Sequence, residues 1–139
     1  MISSGLISPV TQALTEAEIS FKVFDGVVPD PTTDSIAKGV AEAQACDAIV
    51  GFGGGSALDS AKAIAVLAVH GGPLSRLKVP AEVPMGLPVV CIPTTAGTGS
   101  EVTRVAVITN SECGEKMLCS ELIAIAFIER LHDGISKRL

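Results

Sequence analysis

Two short apolar runs, each followed at once by a loop of small residues, constrain the fold of this chain most strongly. The runs cover residues 48–52 and 87–92, and apolar residues do not alternate with polar ones in either. An uninterrupted run of this kind is typical of a parallel strand that is covered on both faces. The stretch between the runs is long enough for the helical crossover that parallel strands need. The runs therefore predict two strands of one parallel sheet.

Helical patterns stand before and between these runs. Ser8 and Pro9 are typical of an N-cap and a first helical residue, and Thr32 or Thr33 is predicted to cap a second helix. A third helix is predicted from about residue 57 to 69, and a β-prone run covers residues 19–24. The residues predicted for the buried face of the second helix are Ile36, Ala37, Val40 and Ala41. This alternation predicts an α/β layered fold with right-handed crossovers.

The composition excludes several classes of function. Ten Lys and Arg against fifteen Asp and Glu give a net charge of −5, and the chain has no Trp or Tyr. Without a basic stripe or a stacking platform, nucleic-acid binding is not expected. The uncharged stretch 83–100 contains prolines and glycines that would leave backbone groups unsatisfied in lipid, so no membrane span is expected. The four cysteines form no C-x-x-C pair, which predicts reduced thiols and a cytoplasmic protein.

The first informative loop joins the run 48–52 to the third helix and reads Gly-Gly-Gly-Ser at 53–56. Glycines let a ligand approach the backbone closely, and a helix N-terminus supplies N–H groups and positive dipole to an anion. The loop therefore predicts a phosphate site, although its spacing is neither G-x-G-x-x-G nor a P-loop. The structural alternative is a tight turn in which Ser56 is the N-cap, Asp59 completes a capping box, and Asp59 and Lys62 form a surface ion pair.

The second informative loop follows the run 87–92 and reads Pro-Thr-Thr-Ala-Gly-Thr-Gly-Ser at 93–100. Hydroxyl and N–H groups at the carboxyl end of a strand suit hydrogen bonding to phosphate and ribose, because ligands of open α/β sheets bind at that edge. The alternative is a Thr-rich turn whose hydroxyls bond its own backbone. Two such loops at one edge predict a nucleotide cleft.

Together, the two loops resemble a known family. Gly-Gly-Gly-Ser-x-x-Asp-x-x-Lys at 53–62, followed by Pro-Thr-Thr-Ala-Gly-Thr-Gly-Ser-Glu-Val-Thr at 93–103, resembles the N-terminal domain of the iron-containing (group III) alcohol dehydrogenases. The resemblance runs from about residue 6 to 120. It implies a partial, Rossmann-like NAD(P)-binding domain over residues 1–120 and a divergent tail over 121–139. In the family, a second, helical domain carries iron or zinc, and hydride passes between the nicotinamide and a small alcohol or aldehyde.

The resemblance also implies roles for individual residues. Gly54, Gly55 and Ser56 would hold the pyrophosphate of NAD or NADP, and Asp59 would lie towards the nicotinamide. Lys116 would reach a ribose. The residues implied to line the adenosine and phosphate side are Thr94, Thr95, Thr98 and Thr103.

The chain departs from the family pattern at three points. The family's first strand, which helps to choose between NAD and NADP, would lie upstream of Met1, so the preference is not readable. Asp30-Pro31 stands where the family usually has Asn-Pro. The family's metal ligands are one Asp and three His, whereas this chain has only His70 and His132, both predicted to face solvent. No metal site is therefore expected.

These departures lead to the expectation of an alcohol dehydrogenase fragment that is inactive alone. A stand-alone nucleotide-binding module and a truncated product without activity remain alternatives. The incomplete sheet would expose unpaired backbone groups, so self-association is expected. The apolar segment 122–128 is the predicted local substitute or pairing edge.

Overall fold

The computed structural model describes residues 5–119 and 126–127. Helices and strands alternate over residues 33–93, and the mixture of helices with a parallel sheet confirms the predicted α/β fold. In chain order the elements are α1 (Ser8–Glu16), α2 (Thr33–Ala43), β1 (Ile49–Gly53), α3 (Gly55–His70), a 3-10 turn (Leu74–Leu77), β2 (Val89–Pro93), β3 (Ala106–Thr109), β4 (Lys116–Cys119) and β5 (Ala126–Phe127). Within the described residues, no helix combines the length and the apolar character needed to cross a membrane.

The two predicted strands lie side by side in a parallel sheet. β1 and β2 are in register from Ile49 opposite Val89 to Gly53 opposite Pro93. β5 pairs in parallel with the other edge of β2, which gives the order β1-β2-β5. β3 and β4 form a separate antiparallel pair. Of the predicted pairing segment 122–128, only β5 lies within the described residues.

α3 is the central helix because its sequence is apolar on nearly every side. It packs on β1 at Gly51, where an added Cβ would lie 2.8 Å from the Cβ of Ala61. On its other side it packs against α2 at Gly39, whose missing side chain admits Ile64. Two buried clusters share this helix, one towards α2, β3 and β4 and the other towards β1 and β2. The position of α3 therefore fixes the layers on both sides.

The structure corrects the predicted face of α2. Thr32 is its N-cap and forms a capping box with Ser35, as one of the two predictions had it. Ile36 is buried, but Ala37 and Ala41 are exposed, and the buried face continues through Gly39 and Ala43. The close packing of Ile64 on Gly39 explains why the buried face differs from the predicted one. A Cβ at position 39 would clash with Ile64, so the side of α2 that carries the glycine faces α3.

Residues 19–24 do not form the strand that their composition predicts. They have no regular secondary structure, and their apolar side chains at Ile19, Phe21 and Val23 are exposed. A β-prone run becomes a strand only where a neighbouring strand accepts its hydrogen bonds. α1 precedes this segment and begins one residue earlier than predicted, with Ile7 as its N-cap.

Candidate functional site

The two informative loops meet at the carboxyl edge of the sheet, as predicted. The N–H of Thr94 donates to the carbonyl of Gly53 at 2.9 Å, so the loops start side by side. A Cβ at Gly54 would lie 3.2 Å from Thr95 Oγ1, and one at Gly55 would lie 3.1 Å from Ser100 Oγ. The glycines therefore keep open the space between the loops.

The N-terminus of α3 points its first-turn N–H groups into this space. Gly54 is the N-cap, and no side chain of the described residues caps the helix. The predicted alternative with Ser56 as N-cap is wrong, since Ser56 lies inside the helix and its carbonyl accepts from Ser60 Oγ at 2.7 Å. An uncapped helix N-terminus can bind an anion through its N–H groups and its dipole.

The predicted threonines divide into two kinds. Thr95 and Thr98 are exposed on the open side of the second loop, and Thr94 is half-buried where the loop leaves β2. Thr103 instead uses its hydroxyl inside the protein, donating to the carbonyl of Val105 at 3.2 Å. Thr98 Oγ1 also accepts a long hydrogen bond from the N–H of Ser100 at 3.5 Å, so the alternative of hydroxyls bonded to the loop's own backbone holds in part, at Thr98 and Thr103.

Lys62 is fully buried, which overturns the alternative of a surface ion pair. Its Nζ lies 3.2 Å from Asp59 Oδ1 and donates to the carbonyls of Ser100 and Thr103, at 3.0 and 3.3 Å, and of Val105, at 2.5 Å. The hydroxyl of Thr103 is 3.4 Å away. Sequence reasoning considered Lys62 only as half of that surface pair, although a lysine in a helix that is apolar on nearly every side must find partners inside.

Asp59 faces into the protein on the same turn of α3. Besides the contact with Lys62, its Oδ2 accepts a hydrogen bond from the N–H of Val107 at 3.1 Å. Its side chain is 13% exposed. Asp59 therefore joins α3 to the start of β3.

Lys116 lies on β4, and its contact is with Asp30 rather than with either loop. Its Nζ is 3.3 Å from Asp30 Oδ1, and both side chains are exposed. A pair in this position contributes little to stability, so a ligand can displace it at small cost. The departure at Asp30 thus places a carboxylate beside Lys116.

The described residues do not fit a metal ion. None of the His, Cys, Asp and Glu side chains among them form a group of three that could hold one. His70 is exposed, as predicted, and its Nε2 lies 2.8 Å from the carbonyl of Met85. His132 lies outside the described residues. Burial raises the pKa of Cys119 to about 11 and also raises the pKa of Cys91, so both thiols stay protonated and are poor ligands at neutral pH.

Comparison with known proteins gives a consistent result. Residues 1–128 match the family model described as iron-containing alcohol dehydrogenase. Alcohol dehydrogenase 4 of Schizosaccharomyces pombe is 41% identical over 120 residues, which are 84% of this chain and 28% of that protein. The chain therefore spans less than a third of the length of this relative.

Solved structures agree in fold. An iron-containing alcohol dehydrogenase from Thermotoga maritima superposes with a TM-score of 0.82 at 39% identity, over 92% of this chain and 36% of that one. Sulfoacetaldehyde reductase from Bifidobacterium kashiwanohense, in complex with NAD+, gives 0.77 at 30% identity, over 94% and 36%. The layers of this chain thus match part of a larger fold.

Proposed function

We propose that this chain, which belongs to the iron-containing alcohol dehydrogenase family, binds NAD or NADP between its Gly-rich and Thr-rich loops. The observation that carries the proposal is the meeting of both loops at one sheet edge beside the uncapped N-terminus of α3. The pyrophosphate would accept hydrogen bonds from the N–H groups of Gly55 and Ser56. Gly54 would let it approach the backbone, since a side chain there would project into the space between the loops.

The remaining cofactor contacts follow from exposure. Thr95 and Thr98, which are exposed, would line the adenosine and phosphate side together with the half-buried Thr94. Asp59 and Thr103 would act through their internal hydrogen bonds on the nicotinamide and adenosine sides. Lys116 would turn from Asp30 to reach a ribose. That a related structure holds NAD+ supports NAD, and NADP remains part of the proposal.

The reaction proposed for the whole protein is hydride transfer between the nicotinamide and a small alcohol or aldehyde. A divalent iron or zinc ion, when bound, supplies Lewis-acid polarisation of the reacting oxygen. The described residues provide no ligand set for such an ion, and the sequence contains only two histidines. We therefore propose that this chain contributes the cofactor site and does not turn over substrate by itself.

Self-association is the proposed state of the isolated chain. β1 has no strand on its outer edge within the described residues, and Val50 on it is 41% exposed. Beside it, an apolar groove of about 290 Å³ lies between α1 and the face of β1 and β2. A second copy would cover both features. The four free cysteines support the cytoplasm as the compartment, which cell fractionation would test.

Titration with NADH tests the cofactor proposal. The chain has no Trp or Tyr, so binding is followed by the fluorescence of NADH itself and not by quenching of protein fluorescence. Gly54→Val should abolish binding, because φ of −79° at Gly54 accommodates valine while the new side chain blocks the loops. Ala37→Val is the control, since it adds the same side chain at an exposed position of α2. Equal titration curves for the original chain and Gly54→Val would refute the proposal.

A further inference from the structure

We propose that Lys62 is a positioning residue that holds the Thr-rich loop, here taken as residues 93–105 between β2 and β3, in its ligand-binding shape. The inference rests on the proposed cofactor site. Five oxygen atoms surround the ammonium group: one from Asp59 on its own helix and four from residues 100–105. The Lys62 side chain has no exposed surface, so these oxygens replace its hydration.

Lys62 joins a small set of contacts that hold the backbone of this loop. The N–H groups of Val102 and Thr103 both donate to the Gly99 carbonyl at 3.1 Å, and the Thr103 hydroxyl donates to the Val105 carbonyl at 3.2 Å. Three carbonyl oxygens, at positions 100, 103 and 105, converge on one point. Converging carbonyl dipoles repel one another unless a cation lies between them. Lys62 supplies that cation, and the loop closes around it.

Residues 100–105, which Lys62 contacts, form part of the wall of the proposed cofactor cleft. The hydroxyl of Ser100, whose carbonyl binds Lys62, borders Gly55 at the N-terminus of α3. The ammonium is enclosed by these five oxygen atoms and the Lys62 side chain has no exposed surface, so it acts on a bound anion through the loop.

Asp59, on the same helical turn, is the acidic partner of Lys62. Its carboxylate offsets the charge of Lys62 and anchors the start of β3 through the N–H of Val107. Burying the lysine without this partner would be costly. The pair therefore fastens both the Thr-rich loop and the strand after it to the helix that carries the anion site.

Amide hydrogen exchange without cofactor, followed by NADH titration, tests the proposal. Lys62→Met keeps much of the stem and removes the ammonium. Amides of residues 100–107 should exchange faster than in the original chain, and NADH affinity should fall about tenfold or more, the loss expected for charge-assisted hydrogen bonds. Ser60→Ala is the matched control, since it removes a buried hydroxyl from the same helix and leaves the carbonyls of the loop partnered.

A second variant covers the case in which Lys62→Met does not fold. Lys62→Ala leaves room for propylammonium, which replaces the missing stem and ammonium, and millimolar propylammonium should restore slow exchange. Tetramethylammonium carries the charge without N–H donors and should not. Two results would overturn the proposal: unchanged amide exchange in Lys62→Met, or the same effect of propylammonium and tetramethylammonium on amide exchange in Lys62→Ala. If the original chain binds no NADH, the cofactor proposal fails, while the exchange data still decide the role of Lys62.

Discussion

A methyl group added at Gly51 tests how closely α3 must approach β1 to form the site. In Gly51→Ala the new Cβ would lie 2.8 Å from Ala61 Cβ and 3.4 Å from Leu58 Cδ2. Ordinary contact between two methyl carbons lies near 3.5–4.0 Å, so helix and strand must separate by about 1 Å. Overpacking of this size costs about 1–3 kcal/mol, against a gain of about 0.5–1 kcal/mol from replacing a strand glycine.

The net loss of unfolding free energy is therefore expected to be about 1 kcal/mol and at most about 2.5 kcal/mol. Urea denaturation followed by circular dichroism would measure it. NADH affinity should fall as well, because the displaced helix carries the N–H groups of the site away from the Thr-rich loop.

A double-mutant cycle isolates the cause. Ala61→Gly removes the opposing methyl group and alone should cost about 1 kcal/mol as a glycine within a helix. Combined with Gly51→Ala it exchanges the two methyl groups across the same contact, so the double variant should be more stable than the two single losses predict. Strict additivity within error would refute the argument that this contact sets the distance between helix and strand.

Two further predictions concern the whole chain. The purified chain, supplied with NAD+ or NADP+ and with Fe(II) or Zn(II), should not oxidise short alcohols or diols, and metal-dependent NADH or NADPH production would show ligands that the described residues lack. In sedimentation velocity the chain should self-associate through the apolar face around Val50 on the edge strand β1. Val50→Lys should shift the chain towards monomer. A sharp monomer peak for the original chain would contradict this prediction.

The parts of the site that were predictable are those with a local signature. The apolar runs 48–52 and 87–92 correctly identify the two parallel strands, but the expected cover on both faces is absent at Val50 of β1, which is 41% exposed. Parallel strands bring their carboxyl ends to one edge, so the Gly-rich and Thr-rich loops had to meet if the runs were neighbours. The register of β1 and β2 fulfils that condition.

The errors arise where a distant contact decides between local options. Periodicity alone does not show whether Ala37 or Gly39 lies on the buried face of α2. The packing of Ile64, from another helix, on Gly39 decides it. The run 19–24 has strand composition, yet strand formation depends on a partner that composition does not specify. Asp30 and Lys116 are far apart in sequence, so their pairing leaves no pattern.

Lys62 shows how such a residue can still be inferred from sequence. Its spacing from Asp59 is that of a surface pair. Its other partners are mostly backbone carbonyls, the first of them at Ser100, 38 residues later, and carbonyls have no side-chain signature. The part of α3 that carries Lys62, however, is apolar on nearly every side, with Ala61, Ala63 and Ile64 all buried. A helix without a polar face has no position for an exposed lysine, so the charge must be met by oxygen atoms from elsewhere in the fold. The segment able to supply them is one that leaves the neighbouring strand at the same sheet edge, which is the Thr-rich loop.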